Sequence, residues 1–156
     1  MAYVISVDPG GVHCGVACWV RADDLWECRW AVEMTPEACV DYVRDAINSD
    51  DPPEQTICEG FWLKPGMDAL RQAGSQMETC EVIGVVVHSC RWAGVPCIKV
   101  ANGQQSIITR LEAVDYRWVS RGHGKHAKDA EAIGVRGLGL RVRQLKQIAD
   151  ARAAGQ

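Results

Sequence analysis

Several features that would identify other classes of protein are missing from this sequence. The N-terminal apolar run stops at Asp8 and follows no basic segment, so we expect neither a signal peptide nor a membrane anchor. No Pro, Ser or Gln tract interrupts the 156 residues, and we expect a flexible segment only in the tail, residues 151–156. These absences favour a soluble intracellular protein with one domain over residues 1–156.

Cys-x-x-Cys pairs are also missing, although the chain has eight cysteines. Their spacing indicates neither a structural zinc site nor a disulfide framework. Most of them lie within apolar strand or helix patterns, where a free cysteine behaves as a small hydrophobic residue. We therefore expect the cysteines to fill the core.

The sequence lacks the overall excess of basic residues that is common in proteins that bind DNA. Its net charge is −3. The charge is unevenly distributed along the chain, however. Residues 1–59 carry 12 acidic and 3 basic side chains, a net −9, while residues 60–156 carry 8 acidic and 14 basic, a net +6. This asymmetry allows a polyanion-binding face in the second part of the chain.

Hydrophobic periodicity predicts five strands and four helices. Short connections join the first three strands into an antiparallel meander, and helices separate the later strands. The expected fold class is α/β, a ribonuclease H-like mixed five-stranded sheet with its first three strands antiparallel and helices on both faces. The strands are predicted at residues 2–7, 14–20, 25–33, 55–61 and 95–100, and the helices at 36–47, 68–93, 104–113 and 125–149.

Local signals refine this prediction. Thr35 before Pro36 is typical of a helix start, with a cap followed by proline at the first position. Trp26, Cys28 and Trp30 alternate along the third strand, which predicts that they share one face. The chain between the last two helices is expected to be a polar loop containing glycine. The long second helix is apolar enough to be a core element or a dimer seam.

Two acids stand at the ends of predicted strands. Asp8 follows the apolar run of the first strand, and Glu59 stands at the matching point of the fourth. These strands are neighbours in the predicted sheet, so the two carboxylates should meet at its centre. Carboxylates so close repel one another, and a hard cation such as Mg²⁺ is the usual compensation because it takes oxygen ligands. As alternatives, Asp8 is a turn residue before Pro-Gly, and Glu59 belongs to an ion pair.

A histidine and an acid open the last predicted helix. His126 and Asp129 are three residues apart, a spacing that places both side chains on one face over one turn. They can therefore approach the same site, although acidic groups also favour the first turn of any helix. Glu131 lies about 200° further round the helix than Asp129, and we expect it to face solvent.

Three segments, spread over nearly the whole chain, carry these acids in a familiar order. VISVDPGGVHCGVA is a strand ending in Asp-Pro-Gly, then a turn and a second strand with small residues. ICEGFWL is an acid after apolar residues and before aromatics, and HAKDAEAIGV opens a helix. Together they resemble the motifs of the RuvC family of Holliday-junction resolvases, and most of all those of bacteriophages. By this resemblance Asp8, Glu59 and Asp129 fall on family carboxylates, and His126 falls where many members have another Asp.

The resemblance implies a crossover junction endonuclease with two metal ions, roughly 3.5 to 4 Å apart, that assist in-line attack on a phosphodiester. Asp8, Glu59, His126 and Asp129 would hold Mg²⁺, and Mn²⁺ would serve as well because histidine is a softer ligand. Two subunits of a homodimer would cut opposite strands of a four-way DNA junction. The setting would be the cytoplasm, that of a bacterial host if the protein is phage-encoded, with no nucleotide cofactor and no membrane partner.

Basic and aromatic side chains in the second part of the sequence are candidate DNA contacts. Phe61 and Trp62 are suited to stacking on unpaired bases, although aromatics after a strand are core residues at least as often. Residues 120–125, SRGHGK, are the strongest candidates because glycine allows close approach of the backbone. The predicted phosphate contacts are Lys64, Arg71, Lys99, Arg110, Arg117, Arg121, Lys125 and Lys128.

Three other interpretations share parts of this pattern. A YqgF-type ribonuclease H-like nuclease acting on RNA, or a resolvase that accepts flaps and forks, would have the same fold and metal. A catalytically silent DNA-binding module would not need acids at all three motif positions. A phosphotransferase of the actin and sugar-kinase type also has Asp-x-Gly after a first strand, but it needs two such domains and 156 residues supply one.

Overall fold

A computed structural model describes residues 2–22, 25–60, 69–101, 103–141, 143–147 and 150, with the backbone alone at 69–76. The strands β1 (Tyr3–Asp8), β2 (Cys14–Ala22), β3 (Leu25–Met34), β4 (Gln55–Glu59) and β5 (Cys97–Val100) form one sheet in the order β3-β2-β1-β4-β5. Neighbours among β1, β2 and β3 are antiparallel, and β4 and β5 continue the sheet parallel to β1. The predicted mixed five-stranded sheet is confirmed.

Helices cover both faces of this sheet, namely α1 (Pro36–Ile47), α2 (Ala69–Ala93), α3 (Gln104–Glu112) and α4 (Lys125–Gly137). Side chains alternate along β1, so Val4 packs with α3 and α4 in one hydrophobic cluster. Ile5 and Val7 pack with α1 and α2 in the other cluster. Every second residue of β1 therefore faces α4, and this alternation decides the direction of Asp8.

A β-bulge in β3 contradicts the predicted alternation of its aromatic residues. The pairing with β2 passes from Cys28 to Trp30 and leaves Arg29 as an extra residue. Cys28 consequently packs on the α4 side of the sheet, together with Trp26, while Trp30 packs on the side of α1 and α2. The prediction that all three share one face was wrong, because one inserted residue reverses the side-chain direction.

The last helix is shorter than the predicted range of 125–149. It ends in a turn where Gly139 has φ +62° and the amide of Leu140 donates to the carbonyl of Val135 (3.0 Å). Glycine adopts this left-handed conformation without steric strain, which is why helices often end at one. A separate helical stretch covers residues 143–147.

Two smaller expectations are confirmed. Thr35 caps α1, and its Oγ1 accepts a hydrogen bond from the amide of Ala38 (3.3 Å). All eight cysteines are free thiols, and six of them are buried.

Within the described part of the chain, no helix has both the length and the apolar character needed to cross a membrane.

Candidate metal centre

The ends of β1 and β4 place two carboxylates side by side. Val7 pairs with Cys58 in the parallel ladder, so the next residues, Asp8 and Glu59, stand beside each other. Two residues before Asp8, the hydroxyl of Ser6 donates to a backbone carbonyl of α4 (2.7 Å). Because strand side chains repeat every two residues, Asp8 also faces α4, and it is buried there.

Close packing of α4 on the sheet brings its first turn to these carboxylates. Gly15 in β2 lies against the backbone of His126, and any side chain at position 15 would overlap the carbonyl oxygen of His126. Further along the helix, Gly134 leaves room for Trp19, whose Nε1 donates to Ser6 Oγ (3.0 Å). Glycines on both elements thus allow the helix to approach the sheet.

Asp8, His126 and Asp129 form a group that is suited to a metal ion. One ligand atom from each lies within 4.8 Å of the other two. The contact between His126 Nδ1 and Asp8 Oδ2 measures 2.6 Å, and the histidine side chain is 32% exposed. Because Nδ1 is engaged by Asp8, Nε2 is the ring nitrogen that remains for a metal ion or a proton.

Glu59 lies beside this group, and its pKa reflects the crowding of acids. Burial raises the pKa of Glu59 to about 7, a hydrogen bond with Gln104 opposes the rise, and Asp8 and Asp129 add to it. Burial also raises the pKa of Asp129, with a further contribution from Asp8. The hydrogen bond with Asp8 raises the pKa of His126. The raised pKa values mean that Glu59, Asp129 and His126 bind protons more tightly than isolated groups do, and a divalent cation at this centre would compete with those protons.

Glu33, at the end of β3, is a neighbour of the site that no sequence pattern indicated. Its Oε2 accepts a hydrogen bond from the amide of His126 (3.1 Å), and its Oε1 lies 3.7 Å from His13 Nδ1. The residue before α4, Gly124, makes no side-chain cap, so Glu33 takes that role at the positive end of the helix. Glu33 and His126 are 93 positions apart, and only the folded sheet brings them together.

Comparison with known structures assigns the fold of the chain. No protein-family model and no curated protein matches the sequence. RuvC from Thermus thermophilus, in complex with a Holliday junction substrate, matches with a TM-score of 0.62 and 18% identity over 90% of this chain and 98% of its own. The chain has a RuvC-type resolvase fold.

Two further structures agree with this assignment. A second T. thermophilus RuvC structure matches with a TM-score of 0.54 and 16% identity over 88% of this chain and 96% of its own. The fowlpox virus Holliday junction resolvase matches with a TM-score of 0.57 and 10% identity over 88% and 97%. The predicted ribonuclease H-like fold is confirmed, and at these identities the likeness concerns the fold alone.

On this RuvC-type fold, the predicted DNA contacts near α4 differ in their surroundings. Arg121 and Lys125 are exposed close to the first turn of the helix. Lys128 is already paired, because its Nζ donates to Glu112 Oε1 (2.6 Å) and lies 4.8 Å from the centre of the Trp118 ring. Part of its charge is therefore neutralised before any DNA is present.

The remaining predicted DNA contacts are of two kinds, and their roles stay predictions. Those with exposed side chains are Lys99, Arg110 and Arg117. Those outside the described residues are Phe61, Trp62 and Lys64, together with the side chain of Arg71.

The structure corrects the prediction that Glu131 faces solvent. The side chain of Glu131 is fully buried. Its carboxylate accepts hydrogen bonds from the hydroxyl of Tyr116 (2.8 Å) and from the amides of Val119 (3.3 Å) and Ser120 (3.1 Å). The physical reason is tertiary. The chain between α3 and α4 folds over that side of the helix and excludes water from it.

Proposed function

We propose that this protein is a metal-dependent endonuclease that cleaves branched DNA, with the four-way junction as its substrate. The observation that carries the proposal is the group of Asp8, His126 and Asp129, with Glu59 alongside, at the end of a central strand. Asp8 is buried, and Glu59 and Asp129 are half-buried beside it, so their negative charges are costly to hold together without a cation. The fold of a RuvC in complex with a Holliday junction substrate supports the choice of DNA.

In this proposal Asp8, Glu59, His126 and Asp129 would hold Mg²⁺ or Mn²⁺, which when bound activates water and stabilises charge on a phosphodiester. The chain itself positions the four side chains that would hold the ion. Neighbouring strands hold two of the carboxylates, and one turn of α4 carries the other two residues. The Asp8 carboxylate orients the histidine ring through Nδ1, so that Nε2 is directed to accept a proton or to bind the ion.

We further propose that the protein acts as a symmetric homodimer, because paired cuts in opposite strands of a four-way junction require two sites. The outer side of α2 carries exposed apolar side chains at Met77, Val85 and Trp92, the last of them 85% exposed. At about 100° per residue, these three lie within roughly 80° of one another around the helix. Exposed apolar side chains on one side of a helix favour a contact between two copies, although the exposed Glu81 and His88 lie in the same arc.

The test is incubation of the purified protein with labelled four-way, three-way and linear DNA in Mg²⁺, Mn²⁺ or EDTA. We expect nicks in the four-way junction with either ion and intact DNA in EDTA. Cutting that persists in EDTA would refute the metal centre. Cleavage of RNA in place of the junction would favour the YqgF-type alternative, and metal-independent binding without cleavage would indicate a silent DNA-binding module.

The first prediction concerns the three carboxylates of the site, changed one at a time as Asp8→Asn, Glu59→Gln and Asp129→Asn. Each is expected to lower the cleavage rate by about a hundredfold or more and to leave junction affinity unchanged, since each alters a metal ligand rather than a phosphate contact. Single-turnover cleavage and binding in EDTA measure the two effects separately. Glu54→Gln is the matched control, because Glu54 is an exposed acid at the opposite end of β4. Wild-type rates in any of the three variants would remove that residue from the site.

A further inference from the structure

The chain between α3 and α4 contains no helix or strand, yet a buried carboxylate holds it in place. We call residues 114–124 the strap. Glu131 of α4 accepts hydrogen bonds from the hydroxyl of Tyr116 and from the amides of Val119 and Ser120. All three donors belong to the strap, so this carboxylate joins the strap to the helix that carries His126.

Two of these donors are backbone amides, which means that the carboxylate fixes the path of the main chain. A buried carboxylate is costly unless its oxygens accept hydrogen bonds, and bonds to a charged acceptor are stronger than those between neutral groups. Opening of the strap would break all three of these hydrogen bonds together and admit water to the Glu131 carboxylate. The strap is therefore expected to keep one position.

The anchored amides lead directly into a β-turn with Arg121 at its corner. The amide of His123 donates to the carbonyl of Ser120 (2.9 Å), and Gly122 has φ +87°, as the third residue of a type II turn requires. Ser120 is buried and Arg121 is exposed. The bond between the Ser120 amide and Glu131 thus lies one residue from an exposed guanidinium group.

A second contact supports the strap from the same helix. The rings of Tyr116 and Trp118 meet edge to face, with centroids 5.2 Å apart, and Lys128 Nζ lies over the Trp118 ring. Lys128 and Glu131 are three residues apart, so they project from the same side of α4. One turn of α4 therefore contacts the strap at two points, through Lys128 and through Glu131.

We propose that Glu131 is a positioning residue for DNA binding, which holds the strap so that Arg121 meets a phosphate near the first turn of α4. The inference rests on the proposed function. Both oxygens of the Glu131 carboxylate are engaged by the strap, so its role differs from that of Asp129 two residues earlier. A turn fixed in advance binds more tightly than a mobile one, because less conformational entropy is lost on binding.

Glu131→Gln tests the proposal, since it keeps the shape of the side chain but turns one acceptor into a donor that faces an amide. Junction affinity is measured by fluorescence anisotropy in EDTA, where cleavage is blocked. We expect the dissociation constant to rise about tenfold, and we expect a rise of the same size for Arg121→Ala. The double variant should bind no more weakly than Arg121→Ala alone, because both changes remove the same contact. Glu54→Gln is expected to bind as the wild type does.

Two readouts separate positioning from a general structural role. At saturating junction and metal, Glu131→Gln should cleave within about twofold of the wild-type rate, because the proposed metal ligands are unchanged. Trypsin should cut after Arg121 about tenfold faster in Glu131→Gln than in the wild type, since the strap opens more often. Tyr116→Phe should give a smaller increase, because it leaves both amide bonds intact. Mass spectrometry identifies the cut.

Three results would overturn the proposal. One is an additive loss of affinity in the double variant, another is an unchanged rate of cutting after Arg121, and the third is slow cleavage at saturating junction with unchanged affinity. If Glu131→Gln does not fold, Tyr116→Phe carries the same measurements with smaller expected changes. A wild-type protein that binds no junction contradicts the proposed function instead, and the trypsin rates then show independently whether Glu131 holds the strap.

Discussion

His126 meets Asp8 at 2.6 Å, and this contact defines the chemistry of the site at the scale of single residues. A histidine in the first turn of a helix often faces solvent alone, but this ring lies against a buried carboxylate. Two roles are compatible with that position. The ring binds a metal ion through Nε2, or it takes a proton from water as a general base.

His126→Ala and His126→Asp distinguish these roles. Alanine should reduce cleavage by about a hundredfold, because it removes both a ligand and a base. Aspartate should keep measurable activity and shift the metal preference from Mn²⁺ toward Mg²⁺, since an oxygen ligand is harder than a nitrogen ligand. Cleavage rates over a range of both ions measure the effect. Loss of activity in both variants would indicate a base, because aspartate is a poor base at neutral pH, and near wild-type rates for His126→Ala would leave a site of three carboxylates.

The raised pKa values of the site predict how its stability depends on pH. The pKa of Glu59 is raised to about 7, and those of Asp129 and His126 are raised as well. A raised pKa means that the folded state binds protons more tightly than the unfolded state, so the stability gained at low pH is lost as the pH rises through the folded-state value. The metal-free protein should therefore have a higher Tm at about pH 6 than at about pH 8.

Thermal unfolding in EDTA at the two pH values checks this prediction. Glu59→Gln should reduce the difference in Tm, because it removes one of the groups that titrate in this range. Added Mg²⁺ or Mn²⁺ should raise the Tm more at the higher pH, where fewer protons compete for the ligands. A difference in Tm between the two pH values that is the same in Glu59→Gln as in the wild type would contradict the assignment of a proton to Glu59.

At the scale of elements, the position of α4 on the sheet depends on glycines at their interface, which allow the helix and the sheet to pack closely. Gly15 faces the backbone of His126, Gly134 faces Trp19, and Gly137 faces Ile57. A backbone atom cannot move aside as a flexible side chain does, so the contact at Gly15 tolerates the least change. The site is therefore sensitive to substitution at a residue that contacts no DNA or metal in the proposed function.

Gly15→Ala is expected to destabilise the protein by about 1–3 kcal/mol and to reduce cleavage, because the added methyl group displaces the first turn of α4. Gly84→Ala is the matched control, since an added Cβ at Gly84 in α2 meets nothing within 4 Å. It should raise stability by about 0.5–1 kcal/mol, because glycine is unfavourable within a helix. Urea denaturation at one protein concentration measures the stability of both variants, and single-turnover cleavage measures the activity of Gly15→Ala. Equal effects of the two substitutions would show that α4 has room to move.

At the scale of the whole molecule, the exposed apolar residues of α2 predict the oligomeric state. The wild-type protein should sediment as a dimer at micromolar concentration, and Trp92→Asp should shift it toward the monomer by placing a charge on the proposed contact. Val12→Asp is the control, since Val12 is 70% exposed and lies outside α2. A monomeric wild-type protein that still makes paired nicks would show that the two cuts do not require a symmetric pair.

The fold class followed from the sequence because hydrophobic alternation and turn residues act over a few positions. The run before Asp8, the cap at Thr35 and the glycine that ends α4 are all local features, although the predicted helix extends past Gly139. Resemblance to resolvase motifs selected Asp8, Glu59, His126 and Asp129, and the structure brings three of them within 4.8 Å with Glu59 beside them. Their roles in cleavage stay predictions.

Only the tertiary structure decided which polar groups meet across long stretches of chain. Glu131 has the helical position of a surface residue, yet the strap covers it, and Glu33 caps a helix that begins 92 residues later. The bulge at Arg29 likewise depends on the register with β2. Periodicity describes how one segment divides apolar from polar side chains, whereas burial of a carboxylate depends on donors that another segment supplies.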